Sequence, residues 1–233
     1  MTQRRVWALA GGLAFLLAGV QYLLAETLAA SAWVSPRYSY ARNYISDLGV
    51  ASCGQLYHGR LICSPWHALM NAAFIVEGAL FLLACLCFVR VVPRPWRAVV
   101  VALGLAHGVG MWLVGIFPGS PAALINGTLA YHVGGATAAI AIGNIATIVA
   151  GWIAYRMGVR TWLAAVSALL GAFGLASAVL LLSAASAVPA GWVERGAVYT
   201  IMAWEILLGM SVVRNALRSG RQAPGVRSGS AAR

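Results

Sequence analysis

Six long apolar runs, almost free of charge, pattern the chain near 6–28, 66–89, 95–117, 128–152, 160–183 and 196–214. Each is about 19–25 residues long, and a helix rising ~1.5 Å per residue needs roughly 20 residues to cross ~30 Å of hydrocarbon. The pattern predicts an all-α polytopic membrane protein, a six-transmembrane-helix up-down bundle over residues 1–218. A Gly/Ser/Ala/Arg-rich stretch, 219–233, follows and reads as a disordered tail. One connection is long, Ala29–Pro65, and the others are short, which forces antiparallel neighbours. Small residues such as Gly104, Gly108, Gly134, Gly171 and Ala172 are expected to let helices approach closely.

Composition supports the membrane reading. Hydrophobic residues make up 61% of the 233 and charged residues only 9%, against about 25% charged in soluble domains. A soluble protein with so many apolar helices would need polar helices to cover them, and the chain has none. The net charge of +11 comes from arginine alone, and its distribution matters more than its size. With the N-terminus inside, twelve arginines fall on the inner side. Only Arg37, Arg42, Arg60 and Arg195 fall outside. The positive-inside rule then places both termini in the cytoplasm and the protein in the cell (inner) membrane, with Ala29–Pro65 as the outer first loop. The arginines are scattered over loop ends, which argues against a nucleic-acid partner and leaves membrane lipid and a possible protein partner. The first run exceeds the ~7–15-residue core of a signal peptide, so a retained span is expected.

Cysteine placement fits this topology. Cys53 and Cys63 share the first loop, where an oxidising compartment allows a disulfide. Cys85 and Cys87 lie in the second span and read as small packing residues. The loop also holds Trp33, Tyr38, Tyr40, Tyr44 and Tyr57, which suit an interfacial layer, and His58, expected to be exposed. No nucleotide-binding loop, HExxH or serine-hydrolase elbow is present, and nothing in the sequence names a cofactor. The lack of an internal repeat weakens a transporter reading.

Ionisable residues inside spans are costly, at ~2.5–3.5 kcal/mol each on insertion scales, so each one needs a reason. Glu77, His107 and Glu205 fall about halfway through the second, third and sixth spans, at one depth. If they meet, they form a structural polar contact, a proton- or ion-handling site, or a divalent-metal site. A second group gathers where the spans meet the first loop: Ser46, Asp47, His67, Asn71, His132, Glu194 and Arg195, with Glu26 ending the first span. The plain expectation is solvated interfacial residues, with Asp47 capping backbone N–H groups. The alternative is a pocket facing lipid headgroups, in which Asp47, His67 and His132 serve as acid/base or metal groups. There Arg195 meets a phosphate or pairs with Asp47 or Glu194.

Several of these residues lie in short motifs. They are Tyr44-Ile45-Ser46-Asp47-Leu48-Gly49, Met70-Asn71, Gly115-Ile116-Phe117-Pro118, His132-Val133-Gly134-Gly135-Ala136 and Glu194-Arg195. In this order, and over nearly the whole chain, they resemble the DUF998 family of six-span prokaryotic membrane proteins. The resemblance implies a membrane protein with these motifs grouped at the outer side, and it implies no reaction. A more distant similarity, through Ile45-Ser46-Asp47, is to the Frag1/DRAM/Sfk1 family, which implies membrane organisation or lipid-linked regulation. The expected function is binding of a lipid or a partner protein at the outer pocket. An intramembrane metal-dependent lipid hydrolase and a proton-coupled carrier using Glu77, His107 and Glu205 are the alternatives, and whether the chain is an enzyme stays open.

Overall fold

In hydrocarbon a backbone N–H or C=O finds a partner only within the protein, so the apolar runs close into helices. The computed structural model describes residues 2–57, 59–159, 161–183 and 188–221. Six helices are long and apolar enough to cross a membrane: α1 (Gln3–Ala32), α2 (His67–Phe88), α3 (Arg97–Ile116), α5 (Leu129–Arg156), α6 (Thr161–Leu182) and α7 (Ala190–Arg221). Between α3 and α5 lies a short helix, α4 (Pro121–Asn126), where a loop was expected. It forms because Ser120 Oγ accepts from Ala123 N at 3.1 Å and Pro121 presets the first turn. The helix stops at Gly127, whose φ of 80° suits only glycine. The expected tail begins inside α7, which runs to Arg221, and 222–233 lie outside the described residues. So do His58 and Arg160.

Each spanning helix packs against its neighbours in sequence, and α7 returns to α1, so the order around the bundle is α1-α2-α3-α5-α6-α7. The connections at one end include the long segment between α1 and α2, and this end is called the loop end below. Large apolar side chains such as Leu17, Leu24, Leu169 and Phe173 point outward. The polar residues Glu77, His107, Asn144, Thr147 and Glu205 are buried within. Such a distribution is uncomfortable in water and natural in lipid.

Two devices hold the helices together. One is close approach. A Cβ at Gly110 would lie 2.7 Å from the backbone of both Gly135 and Ala139, so glycine sets the α3–α5 distance. Gly104, Gly108 and Gly171 also sit at helix contacts, whereas Gly134 faces open space and Ala172 is exposed. Spacing alone did not reveal which face of α5 and α6 turns inward. The other device is interhelical hydrogen bonding. Asn144 on α5 donates to Ala197 O at 2.9 Å and accepts from Thr200 Oγ1 at 2.9 Å, and Trp204 Nε1 donates to Ser167 Oγ at 3.1 Å. These bonds tie α5 and α6 to α7. Deeper in, Phe15, Phe81 and Trp204 form an aromatic cluster with centroids 5.0–6.2 Å apart.

The long segment is a folded cap. It holds a 3₁₀ turn at Ser46–Gly49 and an antiparallel hairpin of β1 (Cys53–Tyr57) and β2 (Arg60–Cys63), which a disulfide joins at Cys53–Cys63. Ser64 Oγ donates to Leu48 O at 2.6 Å within the cap, and Asn71 Nδ2 donates to Gly49 O at 2.8 Å, tying the cap to α2. Leu48, Val50 and Ile62 are fully buried beneath it. Trp33 and Tyr38, expected in an interfacial layer, are also buried, because the cap folds over them.

Gly110→Val should therefore lower the thermal unfolding midpoint in detergent, at an overpacking cost of about 1–3 kcal/mol. Gly134→Ala, with open space around it, should leave the midpoint unchanged.

Candidate functional site

The polar residues at the loop end are buried and paired, against the expectation of solvated interfacial groups. Arg195 lies more than a turn inside α7 and turns onto Glu26 of α1, with Nε and Nη2 at 3.1 and 2.8 Å from Oε1. Tyr199 OH donates to the same carboxylate at 3.0 Å. The remaining guanidinium N–H groups reach the carbonyls of Tyr40, Asn43 and Gly191 and the Tyr38 hydroxyl. Arg195 thus neither pairs with Asp47 or Glu194 nor faces a headgroup phosphate, because its donors are already engaged inside. Burial pushes the Tyr38 phenol well above its ordinary value, although the neighbouring Arg195 acts the other way. Tyr38 stays protonated and donates to Tyr44 O at 2.9 Å.

Asp47 is the centre of the cap. It accepts from Arg60 through two contacts, at 2.8 and 3.1 Å, from Tyr44 N at 3.0 Å and from Asn43 Nδ2 at 3.3 Å. Burial alone would weaken the Arg60 charge, but the hydrogen bond and charge of Asp47 more than offset it and raise its pKa. Arg60 also lies over the Tyr44 ring, 4.1 Å from its centroid. Two residues before Asp47, Ile45 N donates to Glu194 of α7. The Ser-Asp-Leu-Gly turn is thereby fastened to α7 and, through Asn71, to α2.

A cavity of about 270 Å³ opens beside this turn. Its walls are apolar side chains of α5 and α6, among them Val133, Ile140, Ala178 and Leu181. Its polar rim is Ser46, Asp47, Arg60, His132 and Glu194, with the Thr137 hydroxyl on one wall. The His132 Nδ1 donates to Phe117 O at 2.9 Å, since a carbonyl only accepts, which leaves Nε2 as the ring's other polar atom. Of the seven loop-end candidates, Ser46, Asp47, His132 and Glu194 line the cavity. Asn71 and Arg195 brace the cap, and His67 turns to Ser64 O at 3.1 Å. Asp47, His67 and His132 therefore do not form one acid/base or metal cluster. Arg60 belongs to the rim and was missed, because thirteen residues separate it from Asp47 and only the hairpin brings them together.

The mid-membrane residues do meet. Glu77, His107 and Glu205 each present a ligand atom within 4.8 Å of the others, and all three are at most 1% exposed. The His107 Nδ1 donates to Ala139 O at 2.8 Å, and Nε2 lies 2.9 Å from Glu77 Oε1. Phe81 covers the ring, with centroids 4.1 Å apart. Glu77 Oε2 and both Glu205 oxygens face no donor among the described residues, and the two carboxyls lie close enough to share a proton. A further cavity of about 40 Å³, lined by His107, lies between this trio and the cap and shares Ser46, Ala136, Ile140 and Glu194 with the larger one. Toward the termini an apolar cavity of about 220 Å³ is lined by Phe15, Phe81, Trp204 and others, with little polar chemistry to orient a ligand.

A family model described as "Protein of unknown function (DUF998)" matches residues 16–211 of the chain. No curated protein and no solved structure shows a significant match. The Frag1/DRAM/Sfk1 similarity gains no support from these comparisons.

Glu26→Gln leaves the Arg195 guanidinium buried without its counter-charge, a loss of about 3–5 kcal/mol for such pairs. The expected result is a lower unfolding midpoint, with faster limited proteolysis within 33–66. Tyr199→Phe removes one neutral donor and should cost about 1 kcal/mol.

Proposed function

The chain belongs to the DUF998 family, and from that premise we propose that it is a multi-pass membrane protein that binds an amphiphile in the loop-end cavity. The observation that carries this reading is the cavity's asymmetry: apolar walls from two spanning helices and a polar rim held rigid by the cap. Binding sites for small molecules are mostly apolar concavities with a few fixed polar groups. At about 270 Å³ the space is near the lower end of the usual ~300–1,000 Å³ range, so it suits one chain and a small head rather than a whole two-chain lipid.

The rim also selects the head. Among the described lining residues the guanidinium is that of Arg60, held by Asp47, and Glu194 adds a second carboxyl. A phosphate monoester would add negative charge against these acids with no cation left to meet it. A neutral head bearing hydroxyl or amide groups matches the hydroxyls of Ser46 and Thr137 and the Nε2 of His132. The favoured occupant is a neutral single-chain lipid, such as a monoacylglycerol.

Photoreactive monoacylglycerol, added to the protein in detergent, tests this. Labelling should map to α5, α6 or the 3₁₀ turn and be competed by unlabelled lipid. Ala178→Trp, which fills the cavity from α6, should reduce labelling several-fold without changing the unfolding midpoint. Equal labelling of Ala178→Trp and wild type, or stronger labelling by an anionic lysophosphatidate probe, would overturn the reading.

A further inference from the structure

We propose that Glu77, His107 and Glu205 form a binding site for a divalent first-row transition metal at the centre of the bundle, separate from the amphiphile cavity. Their ligand atoms lie within 4.8 Å of one another, from three different helices, in surroundings that admit almost no solvent. Imidazole nitrogen with two carboxylates is a donor set suited to Zn²⁺ or Mn²⁺.

Three features point to a metal. The first is the orientation of His107. Its Nδ1–H is fixed on the Ala139 carbonyl at 2.8 Å, so Nε2 faces the two carboxylates. Metal-binding histidines have this same arrangement, with the far ring nitrogen held by a carbonyl so that the near one presents its lone pair. The second is the set of oxygens that face no donor among the described residues, Glu77 Oε2 and both of Glu205, with the two carboxyls in reach of each other. Buried polar atoms without partners are rare and costly. One proton shared between two carboxyls engages one oxygen of each and leaves one of the three over. A cation bridging the carboxylates can engage them all.

The third is charge. Arginine supplies every basic side chain apart from histidine, and no arginine lies in the middle of a span. The protein therefore brings no cation of its own to this depth apart from His107. Two carboxylates, a neutral imidazole and a 2+ ion sum to zero, which is what a low-dielectric interior favours. Space is provided as well: a Cβ at Gly143 would sit 2.8 Å from His107 Nδ1, so glycine there admits the ring. Three protein ligands leave a coordination position open, as in catalytic rather than structural sites. The 40 Å³ cavity lined by His107 and Glu194 offers an approach from the loop end.

The test uses the full chain in detergent, purified without a polyhistidine tag and stripped with a chelator. It is then titrated with Zn²⁺, Mn²⁺ or Co²⁺, and metal is counted by mass spectrometry after gel filtration. One ion per chain and a higher unfolding midpoint are expected. Glu205→Gln, which keeps shape and loses charge, should bind at least about tenfold more weakly, since even removing a partner of a ligand costs that much. Its labelling by the monoacylglycerol probe should be unchanged, which separates this site from the amphiphile cavity. Equal metal binding by Glu205→Gln and wild type overturns the site. So does wild-type protein that takes up none of the three ions and melts unchanged, which assigns the trio to proton sharing. If Glu205→Gln does not fold, the Co²⁺ spectrum of wild type decides. Bands of nitrogen- and oxygen-ligated cobalt displaced by Zn²⁺ support the site, and their absence overturns it.

Discussion

The loop end depends on a single buried contact, Arg195 against Glu26. It joins the first helix to the last, and the same guanidinium holds the backbone of the cap at Tyr40 and Asn43. One planar group with five donors thereby fixes two helices and a loop at once, which an ammonium could not match in geometry. The cap in turn positions Asp47, and Asp47 positions Arg60 and the 3₁₀ turn. The cavity rim is the last link in this sequence. Its polar groups are placed by contacts that begin on the opposite side of the bundle.

The buried polar side chains are satisfied at three levels of charge. At the loop end full charges are paired. Within the bundle neutral amides and hydroxyls bridge helices, as Asn144 does between α5 and α7. At the centre two carboxyls and an imidazole meet with oxygens left over. Hydrocarbon penalises unpaired groups at every level, so the central excess is the departure that asks for a further partner. The first two levels hold the bundle together, and the third adds to this through His107, which joins α3 to α2 and α5, while three carboxyl oxygens beside it face no donor.

Much of this was legible in the residues. The six spans follow from hydropathy because lipid leaves the backbone few options. The meeting of Glu77, His107 and Glu205 was suggested by their equal depth, since burial there forces costly groups toward each other. The partner of Arg195 was not legible. Glu26 is 169 positions away, and only closure of α7 onto α1 makes them neighbours. Glu194 and Arg195 also seemed to open the last span, but α7 starts at Ala190, because buried pairing lets charge sit within a helix. The hairpin and α4 were hidden for a different reason: both are short, and turn chemistry, not hydropathy, makes them. His67 shared a helical face with Asn71, yet being one turn nearer the helix end directs it back to Ser64.

Among the described residues helix α6 packs chiefly on its two flanking helices, and its buried residues, Leu163, Ser167, Gly171 and Gly174, form one narrow stripe. Much of its circumference, with Leu169, Phe173 and Val179, is turned away from the protein. Its last turn is also one wall of the loop-end cavity. Hydrogen bonding and small residues, not charge, fasten this wall to α7 and α5, and the charged contacts of the loop end lie on other elements. On the binding function proposed above, the cavity's apolar side, built by α5 and α6, is the side from which a lipid tail enters, without crossing water.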